Sequence, residues 1–135
     1  YFSTVVMAVT CLEDVGSEAQ KQEYLPRIAD GGLIVTLALT EPNARWDVRG
    51  VQTTAVRSGD GFKINGTKLF VPNAHVSDYI IVAARTGEKE QDISMFILRS
   101  DSPGIQQTLL KTIASDKQSE IVFKDVAAPS TALLG

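Results

Sequence analysis

Short β-rich segments separated by turn sequences are the feature that most constrains the fold of this chain. The turn sequences pair Gly with Ser, Asp, Asn, Thr or Pro, and they are Ser58-Gly59-Asp60-Gly61, Asn65-Gly66, Thr86-Gly87 and Ser102-Pro103-Gly104. Regular spacing of short strands with such turns is typical of an antiparallel β-barrel or sandwich. The sequence therefore predicts a mainly β domain over residues 32–135. The predicted strands are Leu33–Thr40, Val51–Arg57, Phe62–Asn65, Tyr79–Arg85, Ile93–Arg99, Ile105–Leu110 and Glu120–Phe123.

Residues 1–31 have a different, helical pattern. Phe2–Leu12 is apolar on all sides, which suits a buried helix. Ser17-x-x-Gln20 is a capping box that begins a second helix, and Pro26 is expected to end or kink it before a last helical turn at Arg27–Asp30. We interpret 1–31 as the C-terminal part of a helical domain. Because an all-round apolar helix needs neighbours, we expect exposed apolar area or self-association in this chain alone.

Composition excludes several classes of protein. The chain has 135 residues, 44% of them hydrophobic, and a formal net charge of −3. There is no basic excess for nucleic-acid binding, and no apolar run approaches the roughly 20 residues of a membrane-spanning helix. One cysteine, Cys11, excludes an intrachain disulfide, and one histidine, His75, argues against a His/Cys metal site, so no metal is expected. The chain begins Tyr1-Phe2-Ser3 without an initiator Met, so we expect it to be part of a longer protein.

Five motifs occur in a specific order. Taken one at a time, they are compatible with ordinary strand ends and turns. Thr40 and Glu41 place a hydroxyl and a carboxylate where a strand ends. In this order and spacing, the motifs resemble those of the acyl-CoA dehydrogenase family over essentially the whole chain. They are Gly16-x-x-x-Gln20-Lys21-Gln22-x-Tyr24-Leu25-Pro26, Ala38-Leu39-Thr40-Glu41-Pro42, Asn65-Gly66-x-Lys68, Asp78-Tyr79-x-Ile81-Val82-x-Ala84-Arg85-Thr86, and Val122-Phe123-x-Asp125-Val126-x-x-Pro129 with Leu133-Leu134-Gly135.

The resemblance implies the end of the family's N-terminal helical domain followed by its middle β-domain. It implies FAD as cofactor and oxidation of an acyl-CoA thioester between Cα and Cβ. The family's catalytic glutamate lies in a C-terminal helical domain that no residue here matches, so no catalytic residue is expected in this chain. The chain alone is therefore expected to be inactive.

The resemblance also places cofactor contacts on particular residues. Leu39 and Thr40 fall where backbone amides and a threonine side chain meet the pyrimidine edge of the flavin. Phe70, Val71 and Pro72 fall where a segment lies along the flavin ring. The pyrophosphate-binding position falls on Trp46.

Two stretches depart from the family pattern. The loop after Pro42 reads Asn43-Ala44-Arg45-Trp46-Asp47 where the family usually has Gly-Ala-Gly-Ser-Asp, so Trp46 replaces a serine hydroxyl. Pro72 replaces a Thr or Ser and has neither hydroxyl nor amide hydrogen. These losses favour an alternative function, a non-catalytic subunit that has lost flavin binding, although Arg45 offers a charge for a phosphate.

Other implications of the resemblance concern partners and location. Ser115 falls near a serine that touches CoA in the family, with the spacing shifted by about one residue, and Lys111 and Lys117 are alternatives for CoA phosphates. We interpret His75 as a surface loop residue. Expected partners are the acyl-CoA substrate, further copies in a dimer or tetramer, and an electron-transferring flavoprotein. A DNA-associated family member is a third alternative. We expect the cytoplasm in a bacterium, the favoured case, or the mitochondrial matrix in a eukaryote.

Overall fold

The fold places two short helices in front of a curled seven-stranded sheet. The computed structural model describes all residues, 1–135. A π-helix (Phe2–Ala8) runs directly into α1 (Val9–Val15), and α2 (Glu18–Ala29) follows. The strands are β1 (Val35–Ala38), β2 (Thr54–Ser58), β3 (Gly61–Pro72), β4 (Tyr79–Arg85), β5 (Ile93–Arg99), β6 (Ile105–Leu109) and β7 (Gln118–Ala128).

The sheet has the strand order β1-β4-β2-β3-β7-β6, and β5 pairs with the other edge of β4. Most pairings are antiparallel, as expected, but β1 runs parallel to β4 and β2 makes a single parallel bridge to it. Because β1 and β2 meet the same edge of β4 in succession, the chain between them must leave the sheet. The sheet curls enough for the Leu69 amide of β3 to donate to the Thr40 carbonyl at 2.8 Å. The predicted mainly β fold is confirmed.

Strand β3 is much longer than the predicted Phe62–Asn65, and Asn65-Gly66 is not a turn. The Asn65 side chain bonds to Asp125 of β7, accepting from its amide at 2.8 Å, at a point where the β3–β7 register shifts. Gly66 lies against Thr53, the residue before β2. A Cβ added at position 66 would lie only 2.4 Å from Thr53 Oγ1. The glycine therefore permits close packing inside a bulged strand.

The second helix begins where the capping box predicts and ends later than expected. Ser17 Oγ accepts from the Gln20 amide at 3.3 Å, and the Gln20 side chain accepts from the Ser17 amide at 2.9 Å. Of the two expected effects of Pro26, ending the helix is wrong, because α2 continues to Ala29, and a kink stays a prediction. Pro26 lies on the exposed side of α2, where water can solvate the carbonyl that loses its donor.

The helices pack on one side of the sheet, and their outer side has no neighbour. Ala8, Leu12 and Ile28 form a buried cluster with residues of β1, β4 and β5. Phe2 on the outer side is 65% exposed, so the predicted exposed apolar area is present. None of the helices is long and apolar enough to cross a bilayer. The domain boundary at residue 31 stays a prediction.

We predict that the Gln20 side chain stabilises the fold and that the side chain of its exposed neighbour Gln22 does not. Gln20 Nε2 donates to the carbonyls of Thr131 and Leu133, at 3.1 and 2.7 Å, and so ties α2 to the C-terminal segment. Gln20→Ala is expected to lower the free energy of unfolding by about 2 kcal/mol, because two partly buried carbonyls lose their donor. Gln22→Ala is the control and should change it by less than about 0.5 kcal/mol in urea titrations. Equal losses in the two variants would contradict this role.

Candidate functional site

A mostly apolar cavity of about 390 Å³ opens between the end of β1, the end of β3 and the chain between β1 and β2. Ten of its fifteen lining residues are hydrophobic. The fifteen are Met7 of the π-helix, Leu37 of β1, Leu39 and Thr40 after β1, Arg45, Trp46, Asp47, Val48, Gly50 and Val51 before β2, Leu69, Phe70 and Pro72 of β3, Ala83 of β4, and Ile93 of β5.

Two backbone amides at the end of β1 provide hydrogen-bond donors in this apolar lining. The carbonyls of Leu39 and Thr40 are used, since they accept from Lys68 Nζ at 3.2 Å and from the Leu69 amide at 2.8 Å. The amides of Leu39 and Thr40 have no acceptor in the protein, and the Thr40 hydroxyl makes no hydrogen bond either. Two residues that line the cavity thus carry three adjacent donors with no partner in the protein.

A bulge in β3 turns Phe70 out of the sheet. The β3–β7 register shifts between Lys68 and Val71, and Phe70 adopts φ +55°, an unusual conformation for a bulky residue. Phe70 is 54% exposed and lines the cavity, whereas Val71 is 1% exposed and packs in the core. Strain of this kind persists where the surrounding structure holds it, and it concentrates at functional sites.

The chain from Pro42 to Gln52, which we call the wall loop, closes on itself like an Ω-loop. At its neck, the Glu41 carboxylate accepts from the amides of Gln52 and Thr53, at 2.9 and 3.0 Å. Inside the loop, Asn43 Nδ2 donates to the Gly50 carbonyl at 2.7 Å. The wall loop is therefore ordered by its own polar groups, although it forms no strand.

A buried ion pair holds the neck of the wall loop to β3. Lys68 Nζ lies 2.7 Å from Glu41 Oε1, and the two side chains are 0% and 4% exposed. Burial would raise the pKa of Glu41, but the hydrogen bonds from Lys68 and from the Thr53 and Gln52 amides lower it below its ordinary value. Burial lowers the pKa of Lys68, and Glu41 opposes that shift. The pair is a structural tie, because both partners are fully engaged and neither lines the cavity.

The charged groups at the cavity mouth pair with each other. Arg45 makes two hydrogen bonds to Asp47, Nε to Oδ1 at 3.0 Å and Nη2 to Oδ2 at 2.6 Å. The Arg45 guanidinium lowers the pKa of Asp47. Between them Trp46 is 92% exposed while still lining the cavity. A phosphate binding at this loop must therefore compete with Asp47 for Arg45.

Five of the six cofactor contacts expected from the sequence line this one cavity. They are Leu39, Thr40, Trp46, Phe70 and Pro72. Val71 does not, because the bulge at Phe70 points its side chain into the core, so a side-chain contact from Val71 is not supported. Their roles toward a cofactor stay predictions.

The other candidate residues lie outside the cavity. Ser115, in the exposed loop between β6 and β7, is not among the lining residues, so its expected contact with substrate stays a prediction. His75 is exposed on a 3-10 turn, Ala74–Val76. Lys111 and Lys117 are exposed as well.

Sequence reasoning missed the apolar side of the cavity. Met7, Leu37, Ala83 and Ile93 come from four separate elements, and no short motif contains them. The only signal available was general, the apolar character of the first helix and of the strands. Their convergence follows from the docking of the π-helix on the sheet, which sequence pattern does not encode.

The chain is similar to flavoenzymes of one family. A family model described as "Acyl-CoA dehydrogenase, middle domain" matches residues 36–126. The probable acyl-CoA dehydrogenase YngJ of Bacillus subtilis (strain 168) is 36% identical over all of this chain and 37% of the relative. The chain therefore spans a little over a third of the length of that relative.

Solved structures show a similar fold. A chain of the ChsE4-ChsE5 complex from Mycobacterium tuberculosis has a TM-score of 0.88 and 32% identity, covering 95% of this chain and 34% of its own. A glutaryl-CoA dehydrogenase from Mycobacterium smegmatis, solved in complex with FADH2, has a TM-score of 0.84 and 32% identity, covering 93% of this chain and 33% of its own.

We predict that breaking the Lys68–Glu41 pair from one side is strongly destabilising. Lys68→Met leaves the buried Glu41 carboxylate without a cation and is expected to lower the free energy of unfolding by about 3 kcal/mol or more. Lys63→Met, on the exposed face of the same strand, is the control, and it should change the free energy of unfolding by less than about 0.5 kcal/mol. Adding Glu41→Gln to Lys68→Met should recover at least about 1 kcal/mol, because the uncompensated charge is removed.

This pair also predicts how stability depends on pH. Because the pKa of Glu41 is lowered in the folded chain, its stabilising contribution is complete above its ordinary value of 4.5 and is lost as the pH falls through the lowered value. The difference in unfolding free energy between the unmodified chain and Lys68→Met should therefore narrow in acid. A difference that stays constant from pH 7 to pH 3 in urea titrations would count against the ion pair.

We predict that the chain is more stable with glycine than with alanine at position 70. At φ +55° a Cβ costs about 1 kcal/mol, so Phe70→Gly should be more stable than Phe70→Ala by about that amount. At the exposed Lys63 of the same strand, Lys63→Ala should be more stable than Lys63→Gly, as is usual in a strand. Denaturant titrations of the four variants measure these stabilities. If the alanine variant is the more stable one at both positions, the strained conformation of Phe70 is contradicted.

Proposed function

This chain belongs to the acyl-CoA dehydrogenase family, and on that premise we propose that it supplies the flavin-facing wall of an enzyme that oxidises an acyl-CoA thioester between Cα and Cβ. FAD would occupy the cavity between the end of β1, the wall loop and the bulge of β3. The relatives it matches carry names of this activity, and the glutaryl-CoA dehydrogenase was solved with FADH2.

The observation that carries the proposal is the set of free donors at Leu39 and Thr40. A reduced flavin accumulates negative charge at its pyrimidine edge, and oriented donors in an apolar site stabilise such charge. Two amides and a hydroxyl without partners, beside an aromatic ring and in a mostly apolar cavity, suit a flat heterocycle with carbonyl groups on one edge. The donor set therefore fits the flavin ring.

The chain's own residues bind and orient in this proposal. Phe70 packs against the ring, and the amides of Leu39 and Thr40 fix its register along the end of β1. The apolar lining from Met7, Ala83 and Ile93 keeps water out. FAD, when bound, supplies the hydride acceptor. No residue of this chain is assigned to proton abstraction, so the base must come from another part of the protein.

Partners follow from the same proposal. The acyl-CoA substrate lies across the flavin face, and an electron-transferring flavoprotein reoxidises the cofactor. The acceptor is taken from one similar structure, described as the electron transferring flavoprotein of Acidaminococcus fermentans, a chain of which is 37% identical to this one and covers 94% of this chain and 35% of its own. A homodimer or homotetramer and a cytoplasmic location remain part of the proposal.

A second candidate function rests on the wall loop. Arg45 is already bonded to Asp47, and Trp46 has a bulky side chain with one indole N–H in place of the serine hydroxyl that would meet a pyrophosphate. Pro72 has no amide hydrogen to offer a ring nitrogen. These features favour a non-catalytic subunit that packs beside a flavin-bearing partner. One similar structure is of a complex named for two proteins, ChsE4 and ChsE5.

We predict that FAD titration separates the two functions. The chain should retain FAD through gel filtration with the visible absorbance of a bound flavin. Thr40→Val should weaken binding about fivefold, because one hydrogen bond to the ring is lost. Thr108→Val, on the exposed face of β6, is the control and should bind as the unmodified chain does. Failure to bind FAD at tens of micromolar would favour the non-catalytic subunit.

A further inference from the structure

Arg85, the last residue of β4, lies behind the wall loop and has no acidic partner. Its guanidinium donates to three backbone carbonyls instead: Nε to Val51 at 3.1 Å, Nη2 to Val48 at 3.0 Å and Nη1 to Lys89 at 2.9 Å. Val48 and Val51 line the cavity. One side chain thus joins the cavity side of the wall loop to the turn between β4 and β5.

Arg85 is itself fixed by the sheet. Its amide donates to the Thr53 carbonyl at 2.7 Å, immediately after the wall loop, and its backbone is in register with Thr54 of β2 and Ile93 of β5. The planar fork of an arginine suits acceptors that lie in different directions, whereas a lysine ammonium is a single point on a flexible stem. The three carbonyls are therefore held at set distances from the centre of the sheet.

The other links of the wall loop to the rest of the protein are at its neck or exposed. Glu41 holds only the neck. Arg49 reaches Glu90 at 2.7 Å, but these side chains are 68% and 51% exposed, and such a pair contributes little to order. Arg85 alone holds the middle of the loop from behind.

We propose that Arg85 is a positioning residue that sets the distance of the wall loop from the sheet, and with it the width of the cavity in which FAD binds. This inference rests on the proposed function for its cofactor, but the clamp itself is a property of the chain. Trp46, the only tryptophan of the sequence, lies within the wall loop. Its fluorescence reports the mobility of the loop with or without a ligand.

The test measures time-resolved fluorescence anisotropy of Trp46 and FAD affinity in the same variants. Arg85→Gln is expected to increase the fast, local component of the anisotropy decay and to weaken FAD binding about tenfold, because the loop loses its two carbonyl bonds. Arg85→Lys should give an anisotropy decay and an FAD affinity between those of the unmodified chain and Arg85→Gln, since lysine keeps the charge and one donor direction. Arg49→Gln is the matched control and should leave both readings unchanged.

The outcomes separate the two proposals. If the unmodified chain does not bind FAD, the proposed function fails, and the Trp46 anisotropy alone decides the clamp. If it binds FAD, and Arg85→Gln changes neither the anisotropy nor the affinity, the clamp is overturned while the proposed function stands. If Arg85→Gln does not fold, Arg85→Lys replaces it, and readings equal to those of the unmodified chain overturn the clamp. A lower melting temperature without a change in Trp46 mobility shows a purely structural role and overturns it too.

Discussion

The buried pair of Lys68 and Glu41 is the interaction on which the cavity depends. It joins β3 to the residue that follows the end of β1, and the same carboxylate closes the neck of the wall loop through the amides of Gln52 and Thr53. Lys68 also occupies the Leu39 carbonyl, which leaves the Leu39 and Thr40 amides as the free polar groups of that segment. A buried pair of this kind is a weak source of net stability, but it specifies a geometry.

The cavity combines a rigid side and a strained side. The rigid side is the wall loop, held by Glu41 at its neck and by Arg85 in its middle. The strained side is the bulge of β3, where Phe70 is forced outward at φ +55° while Val71 fills the core. Holding both sides before any ligand arrives lowers the ordering cost of binding. This suits a large, flat ligand that must be kept in one orientation.

The departures from the family pattern fall mainly in the wall loop at the mouth of the cavity, and one more, Pro72, ends β3. The end formed by Leu39, Thr40 and Phe70 presents donors and an aromatic ring, as a flavin ring requires. At the mouth, Arg45 is neutralised by Asp47 and Trp46 is exposed. The two functions considered above differ in whether the remaining contacts to the ring suffice when those to the pyrophosphate are weak and Pro72 offers no amide hydrogen.

Local pattern was enough to predict the mainly β fold and the start of α2 at Ser17, because strand propensity and capping act over a few residues. The resemblance of motifs such as Ala38-Leu39-Thr40-Glu41-Pro42 to a family pointed to five of the residues that line the cavity. Sequence pattern misplaced Asn65-Gly66 as a turn and allowed Pro26 to end α2, whereas packing against Thr53 and exposure to solvent decide those positions. The tertiary structure paired Lys68 with Glu41, turned Phe70 and Val71 to opposite sides, brought Met7 to the cavity and placed Arg85 behind the wall loop. Those contacts join residues far apart in the chain, and their geometry follows from the curl and register of the sheet, which no local pattern encodes.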